Sequence, residues 1–482
     1  MPEPREPRRL GEAMPVTPDY RAERAILELG DEFYDKVESA DFPQAVLRFR
    51  NDRAAAEVGL DGLSDEAWVR HFARFEALPG NLPERLALRY HGHQFRVYNA
   101  DLGDGRGFLF AQMRDARGRL MDLGTKGSGQ TPWSRFGDGR LTLKGGVREV
   151  LATEMLEALG VETSRTFSLI ETGEALHRGD EPSPTRSAVM VRLGHGHIRI
   201  GSFQRLAYLG QADNMRTLAD YCLRHYYGEE GGEDGPARLL GHVARRTARL
   251  AASYIAAGFV HGVLNSDNIN ITGESFDYGP WRWTPLWDGN FTAAYFDEVG
   301  LYSFGRQPEA IHWDVAQLYR SLGLIAEEEA LLPAAESFPD HFQKALRDLI
   351  FWRLGIAPRE LEADLDLIVA IQTAMVTGAV EIDRFFFDWR GGRRRSPSPA
   401  DAAYEGEAFT ALAGQLAGFE AAPGALDHDY WSDAAPCSMH IDEVEAIWAR
   451  IDEADDWSAL HAKVAAVRRM GDAHARVPFQ SA

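Results

Sequence analysis

The chain changes its hydrophobic rhythm once along its length, and that change limits the folds open to it. Between residues 86 and 126 the apolar residues come in short runs broken by glycine. The runs are 95–102, 108–113 and 120–126, and the turns between them are Gly103-Asp-Gly-Arg-Gly107 and Asp115-Ala-Arg-Gly118. This pattern reads as a glycine-turned antiparallel hairpin with a third strand. A helix is expected over 143–159, with Val147, Val150, Leu151, Met155 and Leu159 on one side and Gly160 as its stop. Strand-like segments return at 188–193 and 198–200. After Gly201 the pattern turns helical, at 215–227, at 237–257 and through most of the remainder. Strands first and helices later predict an α+β fold of two lobes, a strand-rich N-lobe and a mainly helical C-lobe. Residues 1–85, a mixture of short helical patterns and loops, are expected as an extension packed on that core. The N-lobe is then 86–200 and the C-lobe 201–482.

Composition removes several function classes. The 482 residues carry 52 Lys plus Arg against 73 Asp plus Glu, a net charge of −21. So acidic a chain is a poor non-specific binder of nucleic acid or anionic lipid. The basic run Arg390-Gly-Gly-Arg-Arg-Arg395 reads as a solvated loop, and 396–425, rich in Ala, Pro and Gly, as a surface excursion. The opening residues lack the apolar core of a signal peptide, and no stretch approaches eighteen apolar residues, so a cytoplasmic protein is expected. With only Cys222 and Cys437 there is no disulfide framework and no cysteine-based zinc site. His195, His197 and His261 lack zinc-binding spacing.

The junction between the two rhythms carries the chemistry. There the chain reads His261-Gly-Val-Leu-Asn-Ser-Asp-Asn268, and nine residues later Asp277-Tyr-Gly. Protein kinases write this region as H-x-D-x-x-x-x-N followed by D-F-G, in which the Asn and the last Asp hold the metal of ATP. His261, Asn268 and Asp277 fall in place, but the usual base position is Val263. A carboxylate survives at Asp267. Asn268 and Asp277 are hard oxygen donors suited to Mg²⁺. Lys126, ending the third strand, and Glu149, in the following helix, match the kinase pair in which the helical carboxylate holds the phosphate-binding Lys. Either one alone would read as a surface charge. Gly103 and Gly105 can bring backbone N–H groups close to phosphate. The loop from Lys126 to Arg140 adds Asp138 and Gly139, and Arg192 and Arg199 flank a turn in a pattern suited to bidentate phosphate capture.

With these pieces in order the chain resembles the selenoprotein O (SelO/YdiU) family of protein adenylyltransferases, kinase-like proteins once labelled pseudokinases. The likeness runs from about residue 30 to 385. It rests on His91-Gly-His-Gln-Phe95, Leu102-Gly-Asp-Gly-Arg106, Lys126-Gly-Ser-Gly-Gln-Thr-Pro-Trp-Ser-Arg-Phe-Gly-Asp-Gly-Arg140, Arg148-Glu149, the two junction motifs with Pro280, and Gln307-Pro308. The resemblance implies a two-lobed protein-kinase-like fold that binds ATP flipped relative to ordinary kinases. AMP then passes to Ser, Thr or Tyr hydroxyls of proteins and pyrophosphate leaves. It further implies nucleotide contacts from Gly103, Gly105, Arg106, Lys126, Asp138, Gly139, Arg192, Arg199 and Asp277. Mg²⁺ or Mn²⁺ would sit on Asn268 and Asp277, with Asp267 as proton acceptor and Glu149 as partner of Lys126.

Three departures accompany the likeness. Arg96 stands where the family has glycine after His-Gln-Phe. The family's cysteine pair is missing, since residues 291–294 read Phe-Thr-Ala-Ala and the tail Val477-Pro-Phe-Gln-Ser-Ala482 has no cysteine, which argues against redox control. Beyond about residue 390 the match is poor. A γ-phosphoryl kinase and a non-catalytic nucleotide-binding scaffold stand as alternative readings. The first is disfavoured by Val263, and for the second the full set of metal ligands is surplus.

Overall fold

The computed structural model describes residues 16–17, 19–179 and 181–478. The opening stretch read as lacking a signal peptide and the end of the cysteine-free tail lie outside the described residues. The N-terminal part contributes β1 (Arg21–Glu23), β2 (Tyr34–Val37) and β3 (Val46–Arg50), then helices α1 (Asp52–Glu57) and α2 (Asp65–Phe72). Strand β4 (Arg85–Leu88) follows, then a small hairpin of β5 (Gly92–Gln94) and β6 (Val97–Asn99), then β7 (Leu109–Arg114), β8 (Leu120–Lys126) and β9 (Leu141–Thr142). Helix α3 (Leu143–Ala158) precedes the long pair β10 (Arg165–Leu176) and β11 (Thr185–Gly194). Among the described residues these strands, apart from the β5–β6 hairpin, form a nine-stranded sheet in the order β2-β4-β7-β8-β11-β10-β3, with β1 beside β7 and β9 beside β11.

The central strands are apolar on both faces because both faces are covered. Ala188 and Met190 of β11 join the core cluster of α3, whereas Val189 and Val191 join the cluster of Trp68 and Phe72 on α2. That alternation is the two-residue period of a pleated strand. Helix α3 is capped by the Thr142 hydroxyl, which accepts from the Gly145 N–H at 3.1 Å. The third strand and this helix lie where the sequence places them. The hairpin does not: residues 97–99 leave the main sheet, and β4 rather than 95–102 pairs with β7. Segment 198–200 is also no strand. Arg199 makes a single bridge to Asn270, and Ile200 opens a helix.

The second part is helical. It comprises α4 (Ile200–Tyr208), α5 (Ala212–Cys222), the central α6 (Gly235–Ala257), the short pair β12 (Phe259–Val260) and β13 (Arg282–Trp283), α7 (Gln307–Leu322), α8 (Glu328–Glu336) and α9 (Phe338–Leu354). The chain ends with α10 (Leu361–Gly378), α11 (Ile382–Asp388), α12 (Asp401–Tyr404), α13 (Glu407–Leu416), α14 (Ile441–Ala454) and α15 (Ser458–His474). Helices α14 and α15 return to the N-terminal part and brace α3 from behind. Arg468 grips Glu154 at 2.6 and 2.7 Å, and Lys144 pairs with Glu445 at 2.7 Å.

Two readings of the sequence are corrected here. Segment 396–425 is no surface excursion, because Tyr404, Phe409, Leu412 and Leu416 are buried in the core cluster built on α9 and α10. Nor is the basic run simply solvated. Arg390 is buried, donating to the carbonyls of Trp352 (2.7 Å), Arg353 (2.9 Å) and Ala425 (3.0 Å) and stacking 4.4 Å from the Trp431 ring. The planar guanidinium meets these three carbonyls in fixed directions while its face stacks on the indole, a geometry that a compact ammonium on a flexible stem does not reproduce. Arg390→Lys is therefore expected to destabilise the fold by about 2–4 kcal/mol, read from the urea midpoint, where a solvated loop residue would cost under about 0.5 kcal/mol.

Candidate active site

Sheet register aims the first cations. Arg192 of β11 lies opposite Gly124 of β8, and Lys126 opposite Met190, so Arg192 and Lys126 project from one face of the sheet. Lys126 is buried against the Glu149 carboxylate of α3, and its ammonium also lies 2.8 Å from Asp277 Oδ1. Arg192 reaches the same oxygen at 3.4 Å. Burial would push the Asp277 carboxyl up, but Lys126, Arg192 and Arg106 outweigh it and hold the group well below the ordinary carboxylate range. Asp277 adopts φ of +62°, a left-handed conformation that turns its side chain into this cluster.

The glycines before β7 serve a close approach. A Cβ on Gly103 would fall 2.3 Å from the Trp133 ring, and one on Gly105 2.9 Å from the Trp133 carbonyl. The loop 127–140 thus lies directly on the glycine turn, and Thr131 donates to the Asp104 carbonyl at 2.6 Å. Asp138 is held by Arg178 at 2.8 Å, and Gly139 is buried with φ of +70°. Together these elements wall a cleft of about 730 Å³. Gly103, Gly105, Arg106, Lys126, Asp138, Gly139, Arg192, Arg199, Asp267, Asn268 and Asp277 all line it. Glu149 stands behind Lys126.

The β5–β6 hairpin holds the other wall. The His93 N–H donates to Ser266 Oγ at 2.8 Å and the Phe95 N–H to Asn265 Oδ1 at 3.0 Å, which fixes the turn that presents Asp267. Gly92 is packed so tightly on Asp267 that a Cβ there would sit 2.9 Å from its carboxylate. Oδ1 of Asp267 is buried without a hydrogen-bond partner, and burial raises the carboxyl to about 6 despite the opposing charge of Arg199. His261 bonds the Phe276 carbonyl at 2.9 Å, joining the two junction motifs. Arg96, also at positive φ, points away from the cleft and pairs with Glu309 of α7 at 3.0 Å.

Among the described residues no cluster of three or more His, Cys, Asp or Glu is arranged to hold a metal. A triphosphate-bound Mg²⁺ asks less of the protein, because phosphate oxygens and water complete its shell. Asn268 and Asp277 fit that demand. The Asn268 amide N–H₂ donates to the Val263 carbonyl at 3.1 Å, leaving its oxygen as the free donor, and Asp277 spends only Oδ1 on the cations.

Residues 18–404 match the family described as Protein adenylyltransferase SelO. The chain belongs to that family. A "Protein nucleotidyltransferase YdiU" of Synechococcus elongatus is 48% identical over 369 residues, 76% of this chain and 74% of the relative. One of Gloeobacter violaceus is 43% identical over 470 residues, 94% and 95% of the two chains. Membership of the SelO family makes the chain an enzyme of the nucleotidyltransferase class. Among solved structures it matches the kinase domain of a Toxoplasma gondii rhoptry antigen at 11% identity, over 70% of this chain and 84% of that one, with a TM-score of 0.26. The two-lobed architecture rests on the elements above, not on that superposition.

Two features of this SelO-family cleft escape sequence reading. Asp104 pairs with Arg199 at 3.1 Å and accepts the Leu88 N–H at 3.0 Å, yet an Asp between glycines reads only as a turn residue. Behind the arginines, Asp122 accepts from Gln112 at 2.8 Å, while its other oxygen faces His197 Nδ1 at 3.7 Å. Burial pushes Asp122 up to about 7 and His197 well below the usual histidine range. Between the unfolded value of 3.8 and about 7 the native state binds the extra proton, so stability falls as pH rises through that window. Asp122→Asn removes the buried charge and supplies a donor towards His197. Melting temperature is expected to rise by about 2–4 °C near pH 8 and to be unchanged near pH 4.

Proposed function

We propose that the chain transfers AMP from ATP to Ser, Thr or Tyr hydroxyls of other proteins in a Mg²⁺- or Mn²⁺-dependent reaction. The observation that carries the proposal is the placement of carboxylates and cations in one cleft. The ordinary kinase base is replaced by Val263, and the carboxylate that lines the cleft in its stead is Asp267. The cations Lys126, Arg192 and Arg199 line the same cleft. Attack of the acceptor oxygen on the α-phosphorus forms the new P–O bond, and the bond to the bridging oxygen breaks. Pyrophosphate carries away the electron pair, where these cations offset its charge. The acceptor proton passes to Asp267, whose free Oδ1 has no competing donor. A divalent ion on Asn268 and Asp277 would supply Lewis-acid charge on the phosphates. Gly103 and Gly105 permit close backbone approach to the nucleotide, and Asp138 and Gly139 offer further contacts. Dependence on ATP, two unpaired cysteines and the absence, among the described residues, of a helix able to cross a membrane support a cytoplasmic setting.

Incubation with ATP labelled at the α or the γ phosphate tests the proposal, with label followed into protein by intact mass. Only α-label is expected, and EDTA should prevent its transfer. Asp277→Ala should abolish transfer, and Asp267→Ala should lower it by roughly 10²–10⁴-fold. Transfer of γ-label would establish a kinase instead, and nucleotide binding without transfer a scaffold.

A further inference from the structure

Beyond the nucleotide cleft, the segment following Asp277 presents apolar side chains to solvent beside the proposed acceptor side. Tyr295, Phe296 and Val299 are 83%, 46% and 80% exposed. Their loop is braced rather than loose. Its base is closed by the Phe304 N–H donating to the Phe291 carbonyl and the Gly305 N–H to the Gly289 carbonyl, both at 2.9 Å. At its centre the buried Asp297 accepts the N–H groups of Leu301 and Tyr302 at 2.8 Å each. A prearranged apolar surface on so acidic a protein marks an interaction site.

The loop is continuous with the site. Ala293 packs on Gly262, where a Cβ would lie 3.1 Å from the Ala293 methyl, and so borders Val263. Phe296 meets Phe95 at 5.8 Å, Phe95 meets Tyr302 at 5.0 Å, and the Tyr302 hydroxyl donates to Asn265 at 2.8 Å. Asp288, just before the loop, and Glu298, within it, are exposed and take part in no ion pair found among the described residues. Apolar contacts next to unpaired acids suit one kind of occupant.

We propose that the 289–305 loop docks the acceptor polypeptide, gripping a segment with an apolar side chain and a basic residue near the reacting hydroxyl. This rests on the AMP-transfer reading, in which the acceptor approaches Asp267 from the Val263 side. Tyr295 and Val299 are then specificity residues for the acceptor and not for ATP.

The test uses the full chain and an array of short synthetic peptides, each with one Ser, Thr or Tyr. Retention of fluorescent protein is scored with Mg²⁺ and a non-hydrolysable ATP analogue, and α-label transfer is scored separately. Wild type is expected to select peptides combining apolar and basic residues. In Tyr295→Ser/Val299→Ser, whose changes lie on the exposed surface, acceptor KM should rise about tenfold with ATP KM unchanged, equivalent to about 1.4 kcal/mol. Phe296→Leu, which keeps the Phe95 contact apolar, should retain binding. Failure of wild type to retain any peptide, or an unchanged acceptor KM in the double variant, would overturn the docking proposal. So would loss of a homodimer, or of binding to anionic vesicles, in place of peptide binding. Peptide retention without α-label transfer would leave the docking surface standing and remove the AMP-transfer reading.

Discussion

The cleft depends on one buried ammonium. Lys126 lies between Glu149 of α3 and Asp277, with Arg192 closing on the same Asp277 oxygen. No member can move alone, because removing one partner of a buried pair strands the other and costs about 3–5 kcal/mol. The cluster therefore ties β8, α3 and the second junction motif into one geometry. That geometry is supported from outside as well: α3 is backed by α15 through Arg468 and Glu154, and by α14 through Lys144 and Glu445. The C-terminal helices α14 and α15, which follow residues 18–404, thus position the wall of the cleft without reaching into it.

Two carboxylates in the same cleft are driven apart by their surroundings. Asp277 faces cations and stays ionised, as its proposed part in holding a phosphate-bound ion requires. Asp267 is packed on Gly92 with no donor on Oδ1, so its proton affinity rises towards neutrality. Separation of this kind suits the roles proposed for them, proton acceptor for Asp267 and ion-holding carboxylate for Asp277. It comes from packing as much as from charge, since a glycine with no Cβ lets the hairpin cover the carboxylate.

Much of this was legible in the sequence because the relevant signals are local. Strand β8 ends at Lys126 and α3 begins after a Thr cap, features set by alternation and by a side-chain oxygen three residues from its donor. The hairpin β5–β6 was not legible, because its partners are 170 or more residues away: Phe95 answers to Asn265 and His93 to Ser266. Strand β10 was hidden by Arg165, Thr166, Ser168 and Thr172, polar residues buried only because the strand pairs on both edges. Arg390 misled for a related reason. A run of arginines reads as solvent-exposed until three carbonyls from distant helix ends and loops converge on one of them.

The exchange of Asp for Val at position 263 is more than the loss of a base. In this fold the Val263 carbonyl accepts the Asn268 amide, so this stretch of the loop orients the proposed metal ligand through its backbone, while its side chain adds an apolar surface to the cleft. The carboxylate proposed as proton acceptor stands four residues on, a side chain whose neighbours are Gly92 and the Arg199 that also pairs with Asp104. Val263 and Asp267 line the same cleft, so an acceptor entering past the Val263 side chain would meet that carboxylate.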